Sequence, residues 1–271
     1  MLTALVCLFM AMSAASVLAV ASSQDTFTQV LFGDLPNSDG VDANLDGALT
    51  VADILLLGPS LPSGVLFAGT VADLAPHAFG DRLVYEVKDP LGKVTTEITT
   101  VTNTGPGGAF ILEDKRLDGQ QVILDQTFFY IDMVSQLVIT GGTDVTNPLI
   151  ASSTTCDPEL LQLKVPVIAG QMYSTTSSCI VRLISSGVEV GTMDRVDTFT
   201  PKETFDSYPV KAGTFEHVVH ISGTTNSGQL ELDEIYLAPG VGAILRLQVF
   251  SGQTYRHELV SGMIGGQPVG Q

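Results

Sequence analysis

From about Leu66 onward the chain alternates apolar and polar residues in short runs with a period of two. Leu83-Val-Tyr-Glu-Val-Lys88, Val94-Thr-Thr-Glu-Ile-Thr-Thr-Val101 and Gln121-Val-Ile-Leu-Asp125 each read as a strand with one face buried. Phe128-Phe-Tyr-Ile-Asp-Met-Val134 is more continuously apolar and reads as a more deeply buried strand. Further strands are predicted over Ser178–Leu183, Gly191–Thr200, Phe215–Ser222, Leu230–Leu237, Ala243–Phe250 and Tyr255–Val260. Turn signals separate them: Thr104-Gly-Pro-Gly-Gly, Asp118-Gly, Gly141-Gly, Ser185-Ser-Gly, Asn226-Ser-Gly, Pro239-Gly and Ser251-Gly. The pattern predicts a mainly β architecture over residues 66–265, an antiparallel half-barrel or sandwich. No strict internal repeat supports a solenoid or propeller.

Residues 22–62 differ in texture. An acidic, turn-rich run precedes Val51, Ile54, Leu55 and Leu57, which fall on one helical face, and Gly58-Pro59 ends the helix. Within this run, Asp42-Ala-Asn-Leu-Asp-Gly-Ala-Leu-Thr-Val-Ala-Asp53 fits a twelve-residue calcium loop. Asp42, Asn44, Asp46, the Ala48 carbonyl, Thr50 and Asp53 occupy the oxygen-donor slots, and Gly47 stands where the loop must turn sharply. A hard cation that accepts six to eight oxygens at flexible distances suits this set, so Ca2+ is the expected cofactor. The simpler reading, Thr50 and Asp53 as a helix cap, leaves the Asp-x-Asn-x-Asp-Gly register unexplained. The stretch Gly40 to Leu57 resembles one calcium-binding repeat of the dockerin modules of secreted bacterial proteins. Dockerins use two repeats to engage a cohesin. Here Pro36 spoils the framing of a second loop, so an ion-stapled N-terminal cap is expected rather than cohesin docking.

The first 21 residues carry no charged side chain and end in Ala19-Val-Ala21, a small-x-small cleavage pattern. Residues 1–21 therefore read as a signal peptide, with an uncleaved N-terminal anchor as the alternative; cleavage implies a secreted or periplasmic destination in a bacterial cell envelope and no membrane span after its removal. Cys156 and Cys179 then remain as an even pair, expected to form a disulfide in an exported chain. The 271 residues carry a net charge of −17, with 45% hydrophobic and only 15% charged side chains. Such acidity argues against nucleic-acid binding, which needs clustered Lys and Arg.

In the large domain, Tyr208-Pro-Val-Lys-Ala-Gly-Thr-Phe215, Glu234-Ile-Tyr-Leu-Ala-Pro-Gly-Val-Gly242 and Glu258-Leu-Val260 resemble stretches of uncharacterised exported bacterial β-proteins likened to lipoprotein-carrier half-barrels. The resemblance implies a fold and no chemistry. Physically, Gly213 and Pro239-Gly240 are expected to make turns, and Phe215, Tyr236, Val241 and Ile244 to be inward packing positions. Catalytic patterns are missing: His217 and His220 point to opposite faces of a strand, and no serine sits in a G-x-S-x-G elbow. The carboxylates Glu113, Asp114, Asp194, Asp197, Glu203 and Asp206 could pair for glycoside cleavage only if the fold brings two together. The expectation is an exported, non-enzymatic protein that binds calcium and whose β-domain takes an apolar small molecule, a glycan or an envelope protein. The alternative is a component of extracellular polysaccharide degradation.

Overall fold

The computed structural model describes residues 64–226 and 230–270. The expected leader, the expected helix at residues 51–57 and the six expected calcium ligands, Asp42, Asn44, Asp46, Ala48, Thr50 and Asp53, lie outside the described residues. By its internal contacts, Gly64–Gln271 is a unit of its own.

The elements run β1 (Val65–Phe67), α1 (Val71–Leu74), β2 (Arg82–Lys88), β3 (Val94–Thr104), β4 (Ala109–Asp118), β5 (Gln121–Asp132), β6 (Gln136–Asp144) and β7 (Ser152–Lys164). They continue with β8 (Val167–Ile168), β9 (Tyr173–Leu183), β10 (Glu189–Val210), β11 (Gly213–Thr225), β12 (Leu230–Ala238), β13 (Gly242–Phe250), β14 (Gln253–Ile264) and β15 (Gln267–Val269). Short turns join successive strands, which forces antiparallel pairing. The mainly β, antiparallel expectation holds, and the sheet goes further than a half-barrel. β14 pairs with both β13 and β2, which closes twelve strands into an up-and-down barrel with β15 as an extra strand on β14. Closure removes the two long edges that an open sheet of this size would expose.

Three long barrel strands and the short β1, β8 and β15 are not among the predicted ones, and one predicted break is absent. β4, β6 and β7 lie between the predicted strands, and β5 fuses two of them into a single run. Gly141-Gly142 is not a turn but the middle of β6, at a register shift against β7. A Cβ on Gly141 would stand 2.2 Å from the Thr154 carbonyl oxygen, and one on Gly142 2.5 Å from that of Thr127. These glycines let β6 approach both neighbours at the bulge.

Alternation along the strands divides the side chains between a lumen and an outer face. On β4, Phe110, Leu112, Asp114 and Arg116 face inward, opposite Tyr130, Phe128, Gln126 and Leu124 of β5. Twelve strands enclose more space than such side chains fill. Accordingly Arg246 and Arg195, both turned inward, keep 42% and 32% of their side-chain surface accessible.

One end of the lumen is apolar and floored. Val71 and Leu74 of α1 pack with Leu163, Val165, Val167, Phe199, Val219, Ile221 and Leu237. Thr70 caps α1 through a reciprocal bond with Asp73, and α1 is tied to two turns of the barrel: Val71 N donates to Val134 O (2.9 Å) and Gly240 N to Asp73 O (2.7 Å). The tip of the β10–β11 hairpin reaches β14 beyond the end of β13, where Ala212 N donates to Leu259 O (2.9 Å) and Lys211 pairs with Glu86. Phe215, Tyr236, Val241 and Ile244 all join the apolar cluster at this seam, but the inward expectation fails for Tyr236, which the register puts on the outer face beside His220.

Cys156 of β7 and Cys179 of β9 stand directly opposite each other and are joined by the expected disulfide. A formed disulfide fits an oxidising, exported location. Among the described residues no helix is long and apolar enough to cross a membrane.

Candidate functional site

The lumen wall away from the floor carries a continuous polar belt across five consecutive strands, β4, β3, β2, β14 and β13, and on to β12. Arg116 donates to Glu97 Oε2 through Nε (3.1 Å) and a terminal nitrogen (2.5 Å). His257 Nδ1 lies 3.1 Å from Glu97 Oε1, so both carboxylate oxygens are engaged. With its amide oriented to suit its neighbours, Gln248 donates to His257 Nε2 (3.1 Å) and accepts from Arg246 (3.0 Å). Arg246 Nε in turn donates to both oxygens of Asp233, at 2.7 and 2.9 Å, and a terminal nitrogen adds a further bond. In that orientation the His257 ring donates through Nδ1 and accepts through Nε2.

Burial and charge act differently on the carboxylates. Burial alone would raise Glu97, but the hydrogen bond from His257, with the charge and bonds of Arg116, outweighs it and pulls the carboxyl down to about 2. Asp114 goes the other way. Burial, then the negative Glu97 nearby, push it up to about 7 against the pull of Arg116 and Arg246. Its Oδ1 is buried without a hydrogen-bond partner. Burial, followed by the charges of Glu97 and Asp114, also raises the Tyr85 phenol, whose hydroxyl donates to Ala243 O (2.8 Å).

Elsewhere on the wall, Arg195 pairs with Asp197 (2.9 Å), and Gln126 donates to Asp144 (3.0 Å). Burial raises the Tyr130 phenol, which also feels Asp114 on the neighbouring strand and the charges of Arg246 and Arg195. Near the floor His77 stacks on Phe110 (4.3 Å), and Phe110 on Tyr130 (5.1 Å), so aromatic faces lead from the floor toward Asp114. The turns around the other end present Leu91, Leu149, Ile150 and Val188 to solvent.

Of the carboxylates singled out from the sequence, Asp114 and Asp197 line the lumen. Glu113 faces outward and pairs with Lys115, while Asp194 and Asp206 are exposed. Glu203 flanks His220, which bonds Glu234 on the outer face (2.6 Å). His217 is exposed and does not meet His220. Glu97, Arg116, Asp233, Arg246, Gln248 and His257 escaped the sequence reading. Their signal was available: β4 reads Leu112-Glu-Asp-Lys-Arg-Leu117, with charge on both faces, as a strand between solvent and a wet lumen must. Among the described residues no group of three or more His, Cys, Asp or Glu side chains is placed to hold a metal.

No protein-family profile matches the chain, and no curated protein matches it. Among solved structures the chain is similar to a crystal structure described as a "putative lipoprotein" from Parabacteroides distasonis ATCC 8503. The two share 13% identity at a TM-score of 0.44, over 69% of this chain and 97% of that one.

Proposed function

We propose that the chain is an exported, non-enzymatic binding protein, with a calcium loop at residues 42–53 and a β-barrel that takes a small ligand into its lumen. The observation that carries this reading is the inner wall. Its polar side chains hold one another in place, yet Arg246 and Arg195 keep accessible surface, so the wall is preorganised without being filled. An apolar floor below a polar belt suits an amphipathic molecule better than a purely apolar one or an extended glycan. The exposed aliphatic turns at the end away from the floor suit contact with an envelope partner.

The test is native mass spectrometry of the protein purified from its own host, together with Leu112→Trp, which puts bulk into the lumen from β4. A bound small molecule retained by the wild type and lost in the folded variant is expected. Retention by both, or no bound mass and no thermal shift across a metabolite panel, overturns the reading.

A second reading, polysaccharide cleavage, is favoured by one observation: Asp114, pushed up to about 7, has the proton affinity of a general acid beside an ionised Glu97. Against it, both Glu97 oxygens are already bound, by His257 and Arg116. Reducing-sugar release from a polysaccharide panel, abolished by Asp114→Asn, would replace the binding reading with this one.

A further inference from the structure

We propose that Asp114 anchors a lumen site for an organic monocation, a primary amine carrying a short apolar tail. The inference rests on the lumen-binding reading and gives it a ligand class. Among the described residues, the other lumen carboxylates named above have partners: Glu97 has Arg116 and His257, Asp233 has Arg246, Asp197 has Arg195, and Asp144 has Gln126 and the Thr146 backbone. Asp114 makes no ion pair, and its buried Oδ1 has given up water without gaining a donor. These five carboxylates thus face three arginines, Arg116, Arg195 and Arg246, and one histidine, His257, each already committed to an acid, and Asp132 near the floor is paired with His77.

A positive group with several N–H donors completes this set, whereas an anion would meet no free base. The surroundings suit an alkylammonium in particular. Tyr130, Phe128 and Phe110 stand on the same inward face of β4 and β5, where ring faces attract a cation and then guide an alkyl chain toward the floor. Asp114 lies two inward positions from Phe110, so a tail of a few methylenes runs from the carboxylate to the aromatic stack.

The experiment is a titration of the full chain with hexylamine, hexanol and hexanoate at pH 8, followed by tyrosine fluorescence, since the chain has no tryptophan. Hexylamine is expected to bind at least about tenfold more tightly than either comparator, a difference of about 1.4 kcal/mol. Asp114→Asn is expected to remove that preference and leave hexanol binding unchanged, with a melting temperature equal to or above wild type. Glu113→Gln, on the outer face of the same strand, keeps the preference. Hexylamine binding no better than hexanol, or undiminished in Asp114→Asn, overturns the cation site while leaving the lumen reading in place. If none of the three probes binds, the cation site falls, and the lumen reading is decided by the mass-spectrometric test.

Discussion

His257 Nδ1 and Glu97 Oε1 lie 3.1 Å apart although β2 runs between the strands that carry them. Two side chains that reach over an intervening strand can meet only on the concave side of a curved sheet, so this bond marks the inner wall. It also crosses the β14–β2 pairing that joins the last long strand of the barrel to the first. The belt from Arg116 to Asp233 therefore spans the line on which the barrel shuts.

Replacing Glu97 with Gln should be among the most damaging single changes. It removes the charge that both Arg116 and His257 address and leaves Arg116, only 21% accessible, without its acid. Breaking a buried pair from one side costs about 3 kcal/mol, or roughly 6–12 °C in Tm for a domain of this size. Calorimetric melting checks this, and a shift below about 2 °C, or roughly 1 kcal/mol or less, contradicts it.

Stability should peak in mild acid. Asp114 is raised to about 7, so its ionisation favours the unfolded chain: the cost begins above the unfolded carboxylate value near 4 and is complete above about 7. Glu97 is lowered to about 2, so its contribution is lost as pH falls from the ordinary range through that value. Tm should therefore fall from pH 5 to pH 8 and again below pH 4. Asp114→Asn should flatten the first slope and leave the second.

Gly141→Val should disrupt the barrel where Asp118-Gly119 tolerates change. The side chain would drive into the Thr154 carbonyl, whereas Gly119 has nothing within 4 Å. Overpacking of this kind costs about 1–3 kcal/mol, while Gly119→Ala meets only the strain of its positive φ, about 1 kcal/mol. Chemical denaturation of the two variants side by side measures the difference, and equal losses would refute the close approach.

Calcium should bind to the full chain with measurable heat, and Asp42→Ala should abolish it. Asp53 reaches less far than the glutamate usual at the last ligand position, so an affinity in the range of extracellular modules, about 10⁻⁴–10⁻³ M, is expected. Isothermal titration in chelator-treated buffer decides this, and a flat thermogram for wild type removes the calcium loop from the description of the protein.

The strand rhythm was legible wherever one face of a strand is oily. β2, β12, β13 and β14 alternate or pack apolar residues, and their positions follow from the pattern. β4 was invisible for a physical reason: Glu113 and Lys115 meet solvent while Asp114 and Arg116 meet the lumen, so neither face reads as buried. Gly141-Gly misled because glycine serves close approach as well as turns. The Cys156–Cys179 bridge was readable from compartment and parity alone. Asp114 was one of six candidate acids, but its distinction depends on neighbours from β3 and β13 that sequence spacing cannot bring together.

The route by which the barrel shuts has a thermodynamic corollary. Glu97 and Arg116 arrive early in the unit, and Asp233, Arg246, Gln248 and His257 arrive at its end, so the belt exists only once β14 has seated between β13 and β2. A ligand that requires the intact belt binds the closed form alone, and at a hundredfold excess over Kd it would deepen that form by about 2.7 kcal/mol. Occupancy then acts as a latch on the seam, and an empty barrel is the one to be opened first by heat or by a protease.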